Sequence, residues 1–136
     1  MRPAPLACLA ALAALALAAP AGAARPSHRL VAPAAFAAAV AAKGTVTLDV
    51  RGPGDAVIPG TDLSIAFDTL AARRAALPPK TTRLAIYCHS GRRSAIAAQT
   101  LLRLGYTSIV ELRGGIVAWA QAGRPLRPAT ASGTAT

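Results

Sequence analysis

The stretch "RLAIYCHSGRRSAIAAQTLLRLG" (Arg83 to Gly105) joins an apolar run, a short polar loop and an alanine- and leucine-rich segment. The unbroken apolar run that leads to Cys88 is typical of a strand buried on both faces of a sheet. The segment from Ser94 onward predicts a helix that ends at its glycine. In open α/β sheets, ligands bind beyond the carboxyl ends of the strands. The stretch therefore predicts the fold class and places a candidate site in the loop between strand and helix.

The sequence on either side of this stretch continues the alternation of strands and helices. Two further strands are predicted at the β-branched segment Thr45–Val50 and at the apolar segment Ser108–Leu112. Helices are predicted from Pro33 to the glycine at position 44, from an N-cap at Asp68 to Leu77, and after the pair Gly114–Gly115. This alternation predicts an α/β protein with a mainly parallel sheet, flanked by helices on both faces, in a single domain.

The N-terminal segment has the composition of a secretory signal peptide. Arg2 supplies a positive charge, Leu6–Ala19 is an apolar run, and Ala21–Ala23 offers small residues for cleavage. The alternative is an uncut membrane anchor, but Pro20 interrupts the run before it reaches the about 20 residues that span a bilayer. We therefore expect residues 1–24 to be cleaved, and the mature protein to be periplasmic or secreted without stable membrane insertion.

The remaining chain is expected to form one domain, residues 25–128, followed by a flexible tail, residues 129–136, which has little to bury. The full sequence holds 15 Lys and Arg against 5 Asp and Glu, a formal net charge of +10. Basic domains attract polyanions, but these arginines are scattered in ones and twos, aromatic residues are few, and no nucleic-acid motif is present. The composition therefore favours a small anion as partner and argues against nucleic acid.

Cys88 is the single cysteine that remains after cleavage, because the other, Cys8, lies in the predicted signal. An unpaired cysteine in an oxidising compartment is an inert buried residue, an intermolecular linker or a reactive group. The sequence that follows favours a reactive group, because Gly91 permits a tight turn and the amides at a helix start bind anions and lower a thiol pKa. Arg92 and Arg93 can hold an oxyanion through charge-assisted hydrogen bonds. We therefore expect Cys88 to be a nucleophile.

The two histidines are assigned no direct chemistry. His89 adjoins the nucleophile, but a thiolate that amides already stabilise needs no base, so its expected contribution is its backbone N–H. His28 is expected to be solvated. Two histidines, one remaining thiol and no clustered carboxylates predict no metal site, and no cofactor is expected.

Four segments resemble one known family. "CHSGRRS" (Cys88–Ser94) resembles the active-site loop of the rhodanese (thiosulfate sulfurtransferase) family, which reads Cys-x-x-Gly-x-Arg-Ser. The other three follow the family's order: "LDVR" (Leu48–Arg51), "IPG" (Ile58–Gly60) and "LGYTSIVELRGGIVAWAQAGRP" (Leu104–Pro125). The chain departs from the family at Ala56–Val57, where Gly-His is frequent, and in the segment after Gly60.

The resemblance implies a rhodanese-like fold and the activity of a single-domain, exported sulfurtransferase. It implies that Asp49 is structural and that Arg51 lies close to the site. Ser94 is expected to support the loop. The expected binding loop for substrate and persulfide consists of His89, Ser90, Gly91, Arg92 and Arg93. Family loops of six residues, as here from Cys88 to Arg93, go with sulfur transfer, and loops of seven with phosphatase or arsenate chemistry.

The expected reaction is a two-step displacement in which Cys88 takes a sulfane sulfur from a thiosulfate-like anion and gives it to a thiol or cyanide-like acceptor. Three alternatives stay open. One is a rhodanese-like module that carries sulfur or binds a partner without turnover. The others are a cysteine phosphatase or arsenate reductase, and a basic surface protein whose thiol is incidental.

Overall fold

The computed structural model describes residue 22, residues 25–54 and residues 56–129. Apart from residue 22, the predicted signal peptide lies outside these described residues, as does most of the predicted tail. The strands are β1 Ser27–Val31, β2 Thr45–Asp49, β3 Ala56–Val57, β4 Leu63–Ser64, β5 Arg83–Tyr87, β6 Ser108–Leu112 and β7 Arg127–Pro128. The helices are α1 Pro33–Ala41, α2 Arg92–Arg103 and α3 Gly115–Gln121, with a 3-10 turn at Arg74–Ala76.

Five of the strands form one parallel sheet in the order β1-β6-β5-β2-β4. The two-residue strands β3 and β7 pair separately in an antiparallel manner. The predicted α/β fold with a mainly parallel sheet is thereby confirmed. Because β5 lies between β6 and β2, its carboxyl end is at the middle of the sheet edge, and Cys88 follows it directly.

Side chains of β5 and β6 alternate between two cores, one on each face of the sheet. Leu84 and Ile86 pack on the face covered by α2, together with Ala97 and Leu101 of that helix. On the opposite face, eight buried side chains form a second core with α1 and α3: Phe36, Ile58, Ala85, Tyr87, Val110, Leu112, Ile116 and Trp119. Burial on both faces explains why the strand sequence is continuously apolar.

The helix predicted at Asp68–Leu77 is wrong. Residues 68–73 form turns, and only the short 3-10 turn Arg74–Ala76 follows. Leu70 is fully buried, but residues 71–76 are all exposed. A segment of this length needs an apolar face against the core to remain helical, and alanine and arginine propensities do not replace it.

Strand β1 was not predicted, because four of its five residues are exposed and it shows no alternation of apolar and polar side chains. It lies at one edge of the sheet and pairs in register with β6, from Ser27 opposite Ser108 to Val31 opposite Leu112. The predicted loop after Arg51 also contains strand β3. None of the helices in the described ranges has the length and apolarity needed to cross a membrane.

Candidate active site

The candidate site is a cavity of about 590 Å³ beyond the carboxyl end of β5. We call it the Cys88 pocket; its lining residues are Arg51, Cys88, His89, Ser90, Arg92, Arg93 and Ile96. Another cavity, of about 420 Å³, lies against α1, β1 and β6, and its lining of arginines, alanines, serines and aliphatic residues includes no cysteine. The chemistry that the sequence predicts therefore belongs to the Cys88 pocket.

The Cys88 loop, residues 88–93, turns its backbone amides toward the sulfur. Gly91 has φ of +102°, a left-handed conformation that glycine adopts without steric strain. Its N–H donates to Cys88 Sγ at 3.0 Å, and α2 begins at the next residue. The sulfur therefore lies where the first amides of a helix converge, the arrangement expected of an anion-binding loop.

The start of α3 holds this loop from behind. The amide of Ile116 donates to the carbonyl of Cys88 at 2.9 Å, and the amide of Val117 donates to the carbonyl of His89 at 3.2 Å. Because these two carbonyls point toward α3, the backbone amides of the loop can point toward the sulfur. The sequence predicted only turn geometry for the Gly114–Gly115 pair that begins this helix, and the structure adds this contact.

Cys88 is a free cysteine and is 1% exposed, although it lines the pocket. Burial by itself raises the pKa of the thiol. The hydroxyl of Ser94 and the amides of Ser94, Gly91 and Arg93 lower it by more, so that the pKa of the thiol lies below its usual value. The sulfur is thus placed in an electropositive setting at the base of an open cavity, as a reactive thiol requires.

Arginine side chains surround the mouth of the pocket. Arg92 and Arg93 are exposed, and within the described part of the chain neither guanidinium is engaged in a hydrogen bond or ion pair. His89 and Ser90 are exposed beside them. This leaves two cations available to an anion that enters the pocket.

Arg51 reaches the same pocket from the end of β2. Its Nη2 donates to Asp49 Oδ2 at 2.6 Å and to the carbonyl of Ala56 at 2.5 Å. Asp49 is completely buried, and its carboxylate raises the pKa of Arg51. The structure brings these two predicted residues together as an ion pair at the edge of the site.

The environment of Ser94 was not predicted. Its Oγ donates to Glu111 Oε1 at 2.6 Å, and Glu111 Oε2 lies 2.7 Å from His28 Nε2. His28 was expected to be solvated, and the residue is exposed on β1, but its imidazole also pairs with a carboxylate that is only 3% exposed. A glutamate inside the apolar strand "SIVEL" was the available signal, because a buried charge needs a partner.

Metal ligands are not gathered here: across the described ranges, no group of three or more His, Cys, Asp or Glu residues is close enough to hold an ion. The site consists of one nucleophile, converging amides and cationic side chains. Such a set suits covalent chemistry on an anionic substrate.

Comparisons with known proteins agree with this geometry. A family model described as "Rhodanese-like domain" matches residues 32–122. A protein of Allochromatium vinosum named sulfurtransferase is 37% identical over 82 residues, which cover 58% of this chain and 75% of that protein.

Solved structures show the same relationship. A rhodanese-related protein of Thermoplasma volcanium is 29% identical with a TM-score of 0.63, and the match covers 73% of this chain and 97% of that one. A Rhodopseudomonas palustris protein of unknown function, described as a possible tyrosine phosphatase, is 28% identical with a TM-score of 0.60, covering 73% of this chain and 84% of that one. By its family match, its fold and its Cys88 loop, the chain belongs to the rhodanese-like domain family.

Proposed function

We propose that the protein is a sulfurtransferase that carries a sulfane sulfur on Cys88 between an anionic donor and a thiol or cyanide-like acceptor. Membership of the family and the relative named sulfurtransferase support sulfur transfer as the class of reaction. The observation that carries the proposal is the amide of Gly91, 3.0 Å from Cys88 Sγ, at the base of a cavity with two unengaged arginines.

In the first step, the Cys88 thiolate attacks the outer sulfur of a thiosulfate-like donor. A bond forms between Cys88 Sγ and that sulfur, while the bond from the outer sulfur to the sulfonate sulfur breaks. Sulfite leaves with the electron pair, and Arg92 or Arg93 stabilises its charge. The outer sulfur stays on Cys88 as a persulfide anion.

In the second step, the acceptor attacks the outer sulfur and the Cys88 thiolate leaves with the electron pair. The persulfide anion is held meanwhile by the amides that lower the pKa of the thiol. Division of the transfer through a covalent intermediate predicts ping-pong kinetics. Both steps move electron pairs between sulfur and its partners, so the reaction needs no added oxidant or reductant.

The first testable prediction concerns the persulfide itself. After incubation with thiosulfate, the intact mass of the protein should increase by one sulfur atom, and cyanide should remove it. The variant Cys88→Ser should gain no mass, because serine cannot form the persulfide. As the matched control, protein alkylated at Cys88 beforehand should also gain none.

The outcomes separate the alternatives. A gain of sulfur without repeated turnover to cyanide would mean a carrier module, and no gain would overturn the proposal. Hydrolysis of an aryl phosphate would instead indicate the phosphatase chemistry suggested for the Rhodopseudomonas palustris protein. The six-residue loop from Cys88 to Arg93 argues against that reaction, because phosphatase loops of this family are one residue longer.

We further propose that the protein acts outside the cytoplasm. The support is the signal-like pattern of Arg2 and the apolar run Leu6–Ala19. Intact mass of the protein recovered from a periplasmic extract should correspond to a chain that begins near residue 25. Recovery of the full-length chain in the cytoplasmic fraction alone would contradict this location.

A further inference from the structure

Hydrogen bonds lead from the reactive sulfur to the edge of the sheet. Cys88 Sγ lies 3.5 Å from Ser94 Oγ, which lies 2.6 Å from Glu111 Oε1. The other carboxylate oxygen, Oε2, lies 2.7 Å from His28 Nε2. Ser94 is fully buried and Glu111 is 2% exposed, whereas the His28 side chain is 27% exposed. The sulfur-transfer steps make no use of Glu111 or His28.

Ser94 has a single hydroxyl proton, and three groups are placed to accept it. The carboxylate of Glu111 is a charged acceptor at 2.6 Å, the carbonyl of Gly91 lies at 3.1 Å, and Cys88 Sγ lies at 3.5 Å. Charge-assisted hydrogen bonds are the shorter and stronger ones, so the proton is directed to Glu111. In this orientation Ser94 accepts a hydrogen bond from the Cys88 thiol, and its hydroxyl lowers the thiol pKa only when its proton turns from Glu111 to the sulfur.

Glu111 also opposes the thiolate by its charge. A carboxylate and a thiolate on either side of one buried hydroxyl are two negative charges in a region of low dielectric, and each disfavours ionisation of the other. A protonated His28 compensates Glu111, whereas a neutral His28 leaves its charge in place. When the Cys88 thiol ionises and His28 is protonated as well, the net charge of the cluster is the same as with a thiol and a neutral His28. When the thiol ionises beside a neutral His28, the cluster carries one more negative charge.

We propose that the pair formed by His28 and Glu111 controls how readily Cys88 ionises, acting through Ser94. A protonated His28 favours the thiolate and a neutral His28 disfavours it. Both are positioning residues, since they contact Ser94 or each other and not the substrate.

Other charged or titratable side chains lie at the pocket or on the strands that carry and adjoin this cluster. They are Arg51, His89, Arg92 and Arg93 at the pocket, Asp49 paired with Arg51, Tyr87 on β5, Arg29 on β1 and Arg113 after β6. Within the described ranges, none of them is hydrogen-bonded to Ser94, Glu111 or His28. Because they stay the same in the variants below, differences between variants report on the cluster.

The test is the pH profile of Cys88 alkylation by iodoacetamide between about pH 5 and pH 9, followed by peptide mass spectrometry so that Cys8 does not contribute. Glu111→Gln should shift the profile to lower pH and raise the rate at its acidic side by about tenfold, the equivalent of one pKa unit. His28→Gln should shift it to higher pH. In the Glu111→Gln background, His28→Gln should have a much smaller effect, because the charge that it compensates is gone.

Asp68→Asn is the matched control, since Asp68 is exposed and lies outside the Cys88 pocket. It removes one negative charge and should leave the profile unchanged. An unchanged or oppositely shifted profile in Glu111→Gln would overturn the inference, as would an equal effect of His28→Gln in both backgrounds. Should Glu111→Gln fail to fold, the comparison of His28→Gln alone and with Ser94→Ala decides, because the shift should shrink when the hydroxyl is absent.

The inference rests on the proposed function only in that Cys88 is the reacting atom. Alkylation needs no sulfur donor, so the two proposals fail separately. Coupling between His28 and Cys88 without any gain of sulfur would refute the proposed function alone. A normal gain of sulfur with no coupling would refute this inference alone.

Discussion

Among single residues, Asp49 depends most directly on one neighbour. It is completely buried, and its carboxylate accepts from Arg51 through the backbone N–H at 2.9 Å and through the guanidinium at 2.6–3.1 Å. The same guanidinium donates to the carbonyl of Ala56, so the pair connects the end of β2 to the following loop. A buried charge that loses its partner is strongly destabilising.

We therefore expect Arg51→Met to lower the free energy of unfolding by about 3 kcal/mol, because Asp49 stays buried without its charge partner. The double variant Asp49→Asn with Arg51→Met should lose less than Arg51→Met alone. Urea denaturation measures both. Arg73→Met, at an exposed position, is the control and should stay within about 0.5 kcal/mol of the native protein. Equal effects of Arg51→Met and Arg73→Met would contradict the argument.

The residues of the Cys88 loop could be predicted because they are contiguous, and their types carry the chemistry. The pairing of His28 with Glu111 could not, because the two lie 83 positions apart. Their contact exists only because β1 pairs with β6, and nothing in the exposed sequence of β1 indicates its partner. Local sequence predicts a turn, whereas a cluster that joins two strands depends on the topology.

Among the elements, the short helix α3 packs directly against the Cys88 loop. Gly115 begins this helix with φ of +61°, and a Cβ atom there would lie 2.4 Å from the carbonyl oxygen of His89 and 2.6 Å from that of Cys88. These are backbone atoms of the loop and cannot rotate away. Any side chain at position 115 must push the Cys88 loop outward.

Gly115→Ala should therefore displace the loop amides and slow the alkylation of Cys88 near neutral pH by about tenfold, as its pKa returns toward the usual value. Gly123→Ala is the matched control: Gly123 has φ of +71°, and its Cβ would meet nothing within 4 Å. Both variants should lose about 1–2 kcal/mol of stability from the left-handed backbone. If the two are alkylated at the same rate, α3 does not hold the loop.

Elements with a buried face were predictable, and elements without one were not. Strands β2, β5 and β6 and helix α2 each have apolar residues at buried positions, and their predicted positions agree with the structure within about two residues. Segment 68–77 has good helix formers but offers the core too few apolar side chains. Tertiary burial, which a propensity does not report, decides between helix and turn there.

Across the whole molecule, cationic side chains outnumber anionic ones, and two of the cations lie at the mouth of the Cys88 pocket. The chain holds 15 Lys and Arg against 5 Asp and Glu. Two of those acids, Asp49 and Glu111, are buried and paired, so they add little negative potential outside. Arg92 and Arg93 are exposed at the mouth of the pocket. A field of this sign raises the local concentration of anions.

We expect anionic iodoacetate to alkylate Cys88 faster, relative to neutral iodoacetamide, at low ionic strength than at high. The rate ratio should fall several-fold between about 10 mM and about 1 M salt, because the Debye length shrinks from about 30 Å to about 3 Å. Iodoacetamide is the internal control, since it carries no charge. Equal salt dependence of the two reagents would show that the field does not steer anions to the sulfur.

The pairing of β1 with β6 has a consequence for how the protein is assembled. The two strands are about 80 residues apart, so their contact closes a long loop and belongs among the slow, non-local events of folding. Until they meet, β6 is an unpaired edge strand and Glu111 lacks its contact with the imidazole of His28. On the proposed coupling, a chain that is still folding would carry a comparatively inert cysteine, and the thiol would gain its full nucleophilicity only on completion of the sheet.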